Sequence, residues 1–200
     1  MNLTPKPRMK LSEQFFKAVQ YATEQHANQP RKSTDIPYIC HPLGVASLVI
    51  ESGGDEDQAI GGLLHDVAED CGGEPRLVEI EQMFGSRVAE MVRGCSDSLV
   101  TTEGEKEKWT IRKENHIKHL ETATSDVLIV TAADKLHNAR AIATDFQIVG
   151  SKVWERFNSE TTPQMITWYY REMLRVLSLH GVNPVLLAPL KEAINIFATN

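Results

Sequence analysis

No apolar run in this chain approaches the ~20 residues that a membrane-spanning helix requires, so a membrane protein is not expected. The first residues, MNLTPKPRMK, carry no apolar segment of the kind a secretory signal needs, and none is expected. Cysteine is scarce. The three present, Cys40, Cys71 and Cys95, are scattered and form no CxxC pair. That argues against a thiolate zinc site or a disulfide framework and predicts reduced packing thiols in a cytoplasmic protein. A basic excess is missing too: 21 Lys and Arg stand against 27 Asp and Glu, a net charge of -6, which argues against a nucleic-acid partner. Internal repeats, low-complexity tracts and linker-like stretches are absent. No exposed heptad seam demands a partner helix, so oligomeric state stays open.

What is present is the composition of one globular domain. Of 200 residues, 42% are apolar and 24% charged, enough to build a proper core. Helical signals dominate. Phe15, Phe16, Val19 and Ala22 place an amphipathic helix over residues 11–27. The proline-bounded QPRKSTDIP reads as a loop. His41 and Pro42 then open a buried helix through PLGVASLVI, which ends at Gly53-Gly54. Asp55 caps the next helix, expected to run unbroken through AIGGLLHDVAED to Cys71-Gly72-Gly73. Two short helices fill 75–95, residues 96–107 form a surface loop, and a charged helix covers 108–121. DVLIVTAADKLHNARAIATDF opens on the strand-like VLIV, but its continuation favours one long helix. Residues 150–162 are irregular or hold a short helix around Val153–Phe157. Two helices near 163–180 and 184–198, separated by Gly181 and Pro184, complete the chain. The expected fold is all-α: a single-domain bundle of about ten helices over residues 1–200, its core at 11–180.

One stretch departs from the apolar pattern. LLHDVAED, residues 63–70, places His65, Asp66, Glu69 and Asp70 directly after two leucines, and buried charge demands a partner. Glu69 follows His65 by four residues, as Asp70 follows Asp66, so each pair shares a helical face. A divalent cation is the simplest neutraliser, and imidazole with carboxylate suits manganese, iron or zinc. Two ligands are too few. His41, at a helix N-terminus, and Asp134, interrupting VLIVTAA, are candidates to complete a His, His, Asp, Asp set. Glu69 and Asp70 are then placed to handle a water proton, a division that suits metal-assisted hydrolysis. Each residue also has a plainer reading: His41 as a hydrogen-bonded core histidine, Asp134 as a partner of Lys135 or Arg140. The combination H…HDxxED…D in one helical chain is more specific than its parts.

Three stretches, HANQPRKSTDIPYICHPLGVA, GLLHDVAED and VTAADKLHNARAI, together resemble the HD-domain hydrolases of the RelA/SpoT homologue superfamily. Within it the chain is similar to the stand-alone small alarmone hydrolases, with the motifs in order over residues 13–180. The resemblance implies an HD-type helical bundle without synthetase or regulatory domains. It implies one Mn2+ held by His41, His65, Asp66 and Asp134, with Glu69 and Asp70 orienting and activating the attacking water. The implied reaction removes the 3′-pyrophosphate of guanosine tetra- or pentaphosphate, (p)ppGpp, giving GDP or GTP and pyrophosphate; the implied partner is thus a small nucleotide. Arg31, Lys32 and Ser33 match an RKS motif beside the nucleotide, where a stem can cover a base face while its tip meets phosphate. Asn138 matches an asparagine that contacts the nucleoside, and Lys106 a lysine at the pyrophosphate end. His137 is expected to hydrogen-bond within the bundle. Trp168, Tyr169 and Tyr170 are expected in the core, or with one ring bordering the substrate pocket. Ala141 and the TDIPY that follows RKS depart from the family pattern and leave an adenosine alarmone open as substrate. An HD-domain 5′-nucleotidase and a non-catalytic nucleotide-binding module are the alternatives; the RKS and PYICHP stretches and the Glu69-Asp70 pair favour the pyrophosphohydrolase.

Overall fold

The computed structural model describes residues 10–99, 107–157 and 160–198. Among them the chain forms ten α-helices and one 3-10 helix, with no strand. The helices are α1 (Glu13–Gln25), α2 (Cys40–Glu51), α3 (Glu56–Leu64), α4 (Val67–Cys71), α5 (Glu74–Phe84), α6 (Ser86–Cys95), α7 (Trp109–Leu120), α8 (Ser125–Val149), α9 (Pro163–Leu179) and α10 (Pro184–Phe197); the 3-10 helix, Gly150–Arg156, joins α8 to the loop before α9. The buried apolar side chains form one contiguous cluster, so these helices surround a single core.

Helix α8 is the axis of the bundle, with α2, α3, α6, α9 and α10 all packed against it. Thr124 caps it, the side chain accepting from the Val127 N–H. Val127, Leu128, Val130, Ala132, Ala133, Leu136 and Ala139 are all buried. Burial around most of its circumference makes the VLIV run helical, overriding its strand propensity. Leu136 alone, fully buried, contributes on the order of 2–3 kcal/mol through burial. Asp134, Lys135 and Asn138 are polar interruptions in this apolar helix, and they cluster on a single turn.

The helix expected from Asp55 to Cys71 is broken. Helix α3 opens with a capping box, Asp55 accepting from the Gln58 N–H while the Gln58 side chain returns to the Asp55 N–H, and it ends at Leu64. His65 and Asp66 form a turn before α4 restarts at Val67. The cause is local. His65 Nδ1 donates to the Gly62 carbonyl at 2.8 Å, the acceptor that a continuous ladder would offer to the Asp66 N–H. On an unbroken helix neighbouring side chains diverge by about 100°. The turn instead aims both at one point.

Candidate active site

Four side chains from three parts of the fold converge beside α8. His41 comes from the first turn of α2, His65 and Asp66 from the turn between α3 and α4, and Asp134 from mid-α8. His65 Nε2 lies 2.9 Å from Asp66 Oδ2 and 3.7 Å from Asp134 Oδ1. His41 Nε2 lies 3.4 Å from Asp66 Oδ2 and 3.2 Å from Asp134 Oδ1. The donor atoms of His41, His65 and Asp66 all lie within 4.8 Å of one another.

The second nitrogen of each imidazole is engaged, which aims the first. His65 Nδ1 is held by the Gly62 carbonyl. His41 Nδ1 meets His137 Nδ1 at 2.9 Å, and donation from His41 leaves its Nε2 lone pair facing the carboxylates. Burial, His41 and Arg31 push the His137 imidazole down to about 4, so it stays a neutral acceptor. Gly44, one turn after His41, makes this pairing possible: a Cβ there would stand 2.3 Å from His137 Cδ2.

The cluster calls for positive charge. Burial opposes ionisation of His65, Asp66 and Asp134 alike. Mutual attraction wins, with Asp66 and Asp134 holding His65 well above its ordinary range. Both carboxylates are held well below theirs, Asp66 chiefly by His65 and Asp134 chiefly by Lys135. The Nε2 atoms of His41 and His65 are buried without a hydrogen-bond partner. Two free imidazole nitrogens facing two carboxylate oxygens form a donor set suited to a borderline divalent cation.

Further groups orient the carboxylates. Tyr38 Oη donates to Asp66 Oδ2 at 2.6 Å; burial and Asp66 hold the phenol far above its usual range, so it remains a donor. Lys135 Nζ donates to Asp134 Oδ2 at 2.7 Å and Asn138 Nδ2 to Asp134 Oδ1 at 2.5 Å. Glu69 and Asp70 line a cavity of about 190 Å³ together with Asp66 and Asp134. Gln29 Nε2 donates to Asp70 Oδ2 at 2.9 Å, and Gln29 Oε1 meets His26 Nδ1 at 2.7 Å. Burial and then Asp66 raise the Asp70 carboxyl. Glu69 accepts the Asp97 backbone N–H at 3.1 Å. Burial and Asp97 push Glu69 up to about 8. Asp97 itself bonds Arg112 Nη1 at 2.6 Å and Lys113 Nζ; against its burial, Lys113, Glu69 and Arg112 hold it below the carboxylate range.

The residues expected beside the nucleotide divide. Arg31 Nη2 donates to Asn138 Oδ1 at 2.9 Å and its guanidinium lies 5.8 Å from the Tyr38 ring centroid. It stems from a tight loop closed by Arg31 N–H to Ile36 carbonyl and Tyr38 N–H to Gln29 carbonyl bonds, with Ser33 at φ 60°. That left-handed conformation is uncommon away from glycine and fixes the loop's shape. Asn138 lines the cavity, whereas Arg31, Lys32 and Ser33 do not. Lys32 Nζ lies 5.9 Å from the Phe157 ring centroid, and the Arg156 guanidinium lies 5.5 Å from the same ring. Lys106 lies outside the described residues. Tyr38, Gln29, Asp97, His116 and Arg156 escaped sequence reasoning. Tyr38 alone carried a local signal, three residues before His41 in PYICH.

Residues 18–159 match the HD domain family. The Danio rerio guanosine-3′,5′-bis(diphosphate) 3′-pyrophosphohydrolase MESH1 is 34% identical over 129 residues, which are 63% of this chain and 67% of that protein. A guanosine-3′,5′-bis(diphosphate) 3′-pyrophosphohydrolase of Aquifex aeolicus is 35% identical over 133 residues, 66% of this chain but only 18% of the longer protein. A solved structure described as a metazoan ortholog of SpoT that hydrolyzes ppGpp superposes with a TM-score of 0.74 at 25% identity, covering 94% of this chain and 97% of that one. The matched region takes in α2, the α3–α4 turn and α8, the elements that carry the His, His, Asp, Asp cluster: the chain belongs to the HD-domain family.

Proposed function

We propose that this chain is a manganese-dependent hydrolase that removes the 3′-pyrophosphate of guanosine tetra- or pentaphosphate, releasing pyrophosphate and GDP or GTP. The observation that carries the reading is the meeting of His41, His65, Asp66 and Asp134 at one buried point, beside a cavity walled by Glu69 and Asp70. The names of the Danio and Aquifex relatives support the substrate class. His41, His65, Asp66 and Asp134 would hold the ion. When bound, manganese neutralises phosphate oxygens and acidifies water.

The chain's own groups divide the remaining work. Glu69 and Asp70 orient the attacking water and take its proton as the water oxygen bonds to phosphorus. The bond from that phosphorus to the 3′-oxygen breaks, and the departing oxygen takes the proton that the carboxylate gained from the water. Arg31, held by Asn138, offers a flat guanidinium to the base or a fork to phosphate. Lys32 and Arg156 flank Phe157, supplying positive charge for a more distant phosphate. No helix among the described residues is long and apolar enough to cross a membrane, and three free thiols fit a reducing cytoplasm.

The test is incubation of purified protein with Mn2+ and a panel of guanosine and adenosine 3′-pyrophosphates and ordinary nucleotides, following pyrophosphate and orthophosphate separately. Pyrophosphate release from a guanosine 3′-pyrophosphate is expected. Orthophosphate alone would instead identify a phosphatase, and preferential turnover of the adenosine series would reassign the base.

Tyr38→Phe tests how Asp66 is oriented. Its loss of the 2.6 Å hydrogen bond is expected to weaken manganese affinity by about 10–100-fold, the range for removing an outer partner of a metal ligand. Titration of Mn2+ into metal-free protein reads this directly, and an unchanged affinity would strip Tyr38 of the role.

A further inference from the structure

Among the described residues, five buried side-chain polar atoms have no hydrogen-bond partner: Nε2 of His26, His41, His65 and His116, and Oη of Tyr169. The proposed cation explains His41 and His65. His26 does not line the cavity, whereas His116 of α7 and Tyr169 of α9 both do. Leaving a polar atom buried and unpaired costs about 1–3 kcal/mol. Two of them, brought from separate helices to one cavity beside the proposed reaction centre, mark a place for a polar group the protein does not itself supply.

Positive charge stands beside Tyr169. Lys113 Nζ and Lys135 Nζ lie 5.0 and 5.6 Å from the Tyr169 ring centroid. Asp97 is met by both Arg112 and Lys113, and Asp134 by Lys135. These cations thus offset two of the five carboxyl groups that line the cavity, Asp97 and Asp134, while Asp66 faces the proposed cation. Burial, Lys135 and Lys113 push His116 down to about 3, so its ring is neutral and can present Nε2–H as a donor. Tyr169 Oη is a second donor. Neutral donors in a field of nearby ammonium groups suit a group rich in acceptor oxygens.

We infer that His116 and Tyr169, backed by Lys113 and Lys135, form the subsite for the terminal phosphate of the 3′-pyrophosphate. The inference rests on the hydrolase reading above and extends it to substrate choice. A nucleotide with a single 3′-phosphate would leave both donors unpaired, and sites built to hydrogen-bond a group reject analogues that lack it.

The experiment is calorimetric titration of inorganic pyrophosphate and of orthophosphate into manganese-saturated protein. Wild type is expected to prefer pyrophosphate. Tyr169→Phe and His116→Ala are each expected to weaken pyrophosphate binding by at least about tenfold, the loss of one hydrogen bond to a charged group. Orthophosphate affinity, manganese content and melting temperature should stay close to wild type. His116→Gln, which keeps an N–H donor, should recover part of the pyrophosphate affinity and guards against a folding artefact. Unchanged pyrophosphate affinity in Tyr169→Phe and His116→Ala overturns the inference, as does an equal loss for both anions or no preference in wild type. Turnover of 3′-pyrophosphorylated nucleotides is measured on the same wild-type preparation. Its absence overturns the hydrolase reading, while the subsite stands or falls on the binding data.

Discussion

Asp66→Ala is expected to yield a folded protein that holds no manganese and turns over substrate at least about 10³-fold more slowly, the upper end of what loss of one charge-stabilising group costs. The size of the effect follows from one atom. Asp66 Oδ2 receives the Tyr38 hydroxyl at 2.6 Å and faces His65 Nε2 at 2.9 Å and His41 Nε2 at 3.4 Å. Its removal leaves two neutral imidazoles and Asp134, whose oxygens are already shared with Lys135 and Asn138. That remainder offers a cation a single carboxylate, itself neutralised by an ammonium. The fold should survive, because Asp66 is not a member of the apolar cluster and the α3–α4 break is secured by His65 and Gly62. Asp66→Asn is the companion variant: an amide keeps a hydrogen bond to Tyr38 and removes only the charge. Elemental analysis for manganese, read beside circular dichroism and turnover, decides the matter. A full complement of metal in Asp66→Ala would mean that Asp66 is not a ligand.

Why this cluster could be read from sequence is physical. His65, Asp66 and Asp134 are ionisable groups set in segments otherwise rich in apolar residues, and such groups need partners. His41 was marked by its place at the start of an apolar helix. Helix α8 was legible despite its VLIV start because the periodic continuation through Ala132, Leu136 and Ala139 outweighs four strand-prone residues. The break at His65-Asp66 was not legible, since it depends on a side chain competing for a backbone carbonyl, a choice with no mark in residue spacing. Asp97 and His116 were hidden differently. Each sits in a polar stretch that reads as solvated surface, and only the packing of α7 against α9, with the chain after α6 close to α4, brings them to the cavity. Lys32 stands beside Arg31 in sequence, yet in the tight loop at Ser33 the two side chains diverge, Lys32 toward Phe157 and Arg31 toward Asn138.

Glu69→Gln is expected to keep its metal and its melting temperature and to lose about 10²–10⁴-fold in kcat, the span assigned to a proton-transfer group. Glu69 accepts the Asp97 backbone N–H at 3.1 Å, and both carboxyl groups line one cavity, where like charges disfavour two ionised groups. Arg112 and Lys113 fix Asp97 as the anion, so Glu69 holds the proton, its carboxyl pushed up to about 8 by burial and Asp97. An amide has the shape of that protonated carboxyl and its oxygen can still accept the Asp97 backbone N–H, so packing is preserved. What it cannot do is release or accept a proton. The sign of the pH dependence follows. A group that takes the water proton must first be ionised, so kcat/KM for wild type should climb with pH as Glu69 loses its proton. That rise begins at lower pH once a bound cation favours the carboxylate. In Glu69→Gln the rise should vanish along with most of the rate. A variant with wild-type kcat would remove Glu69 from the chemistry. One that lost manganese as well would move Glu69 from proton transfer to holding the ion.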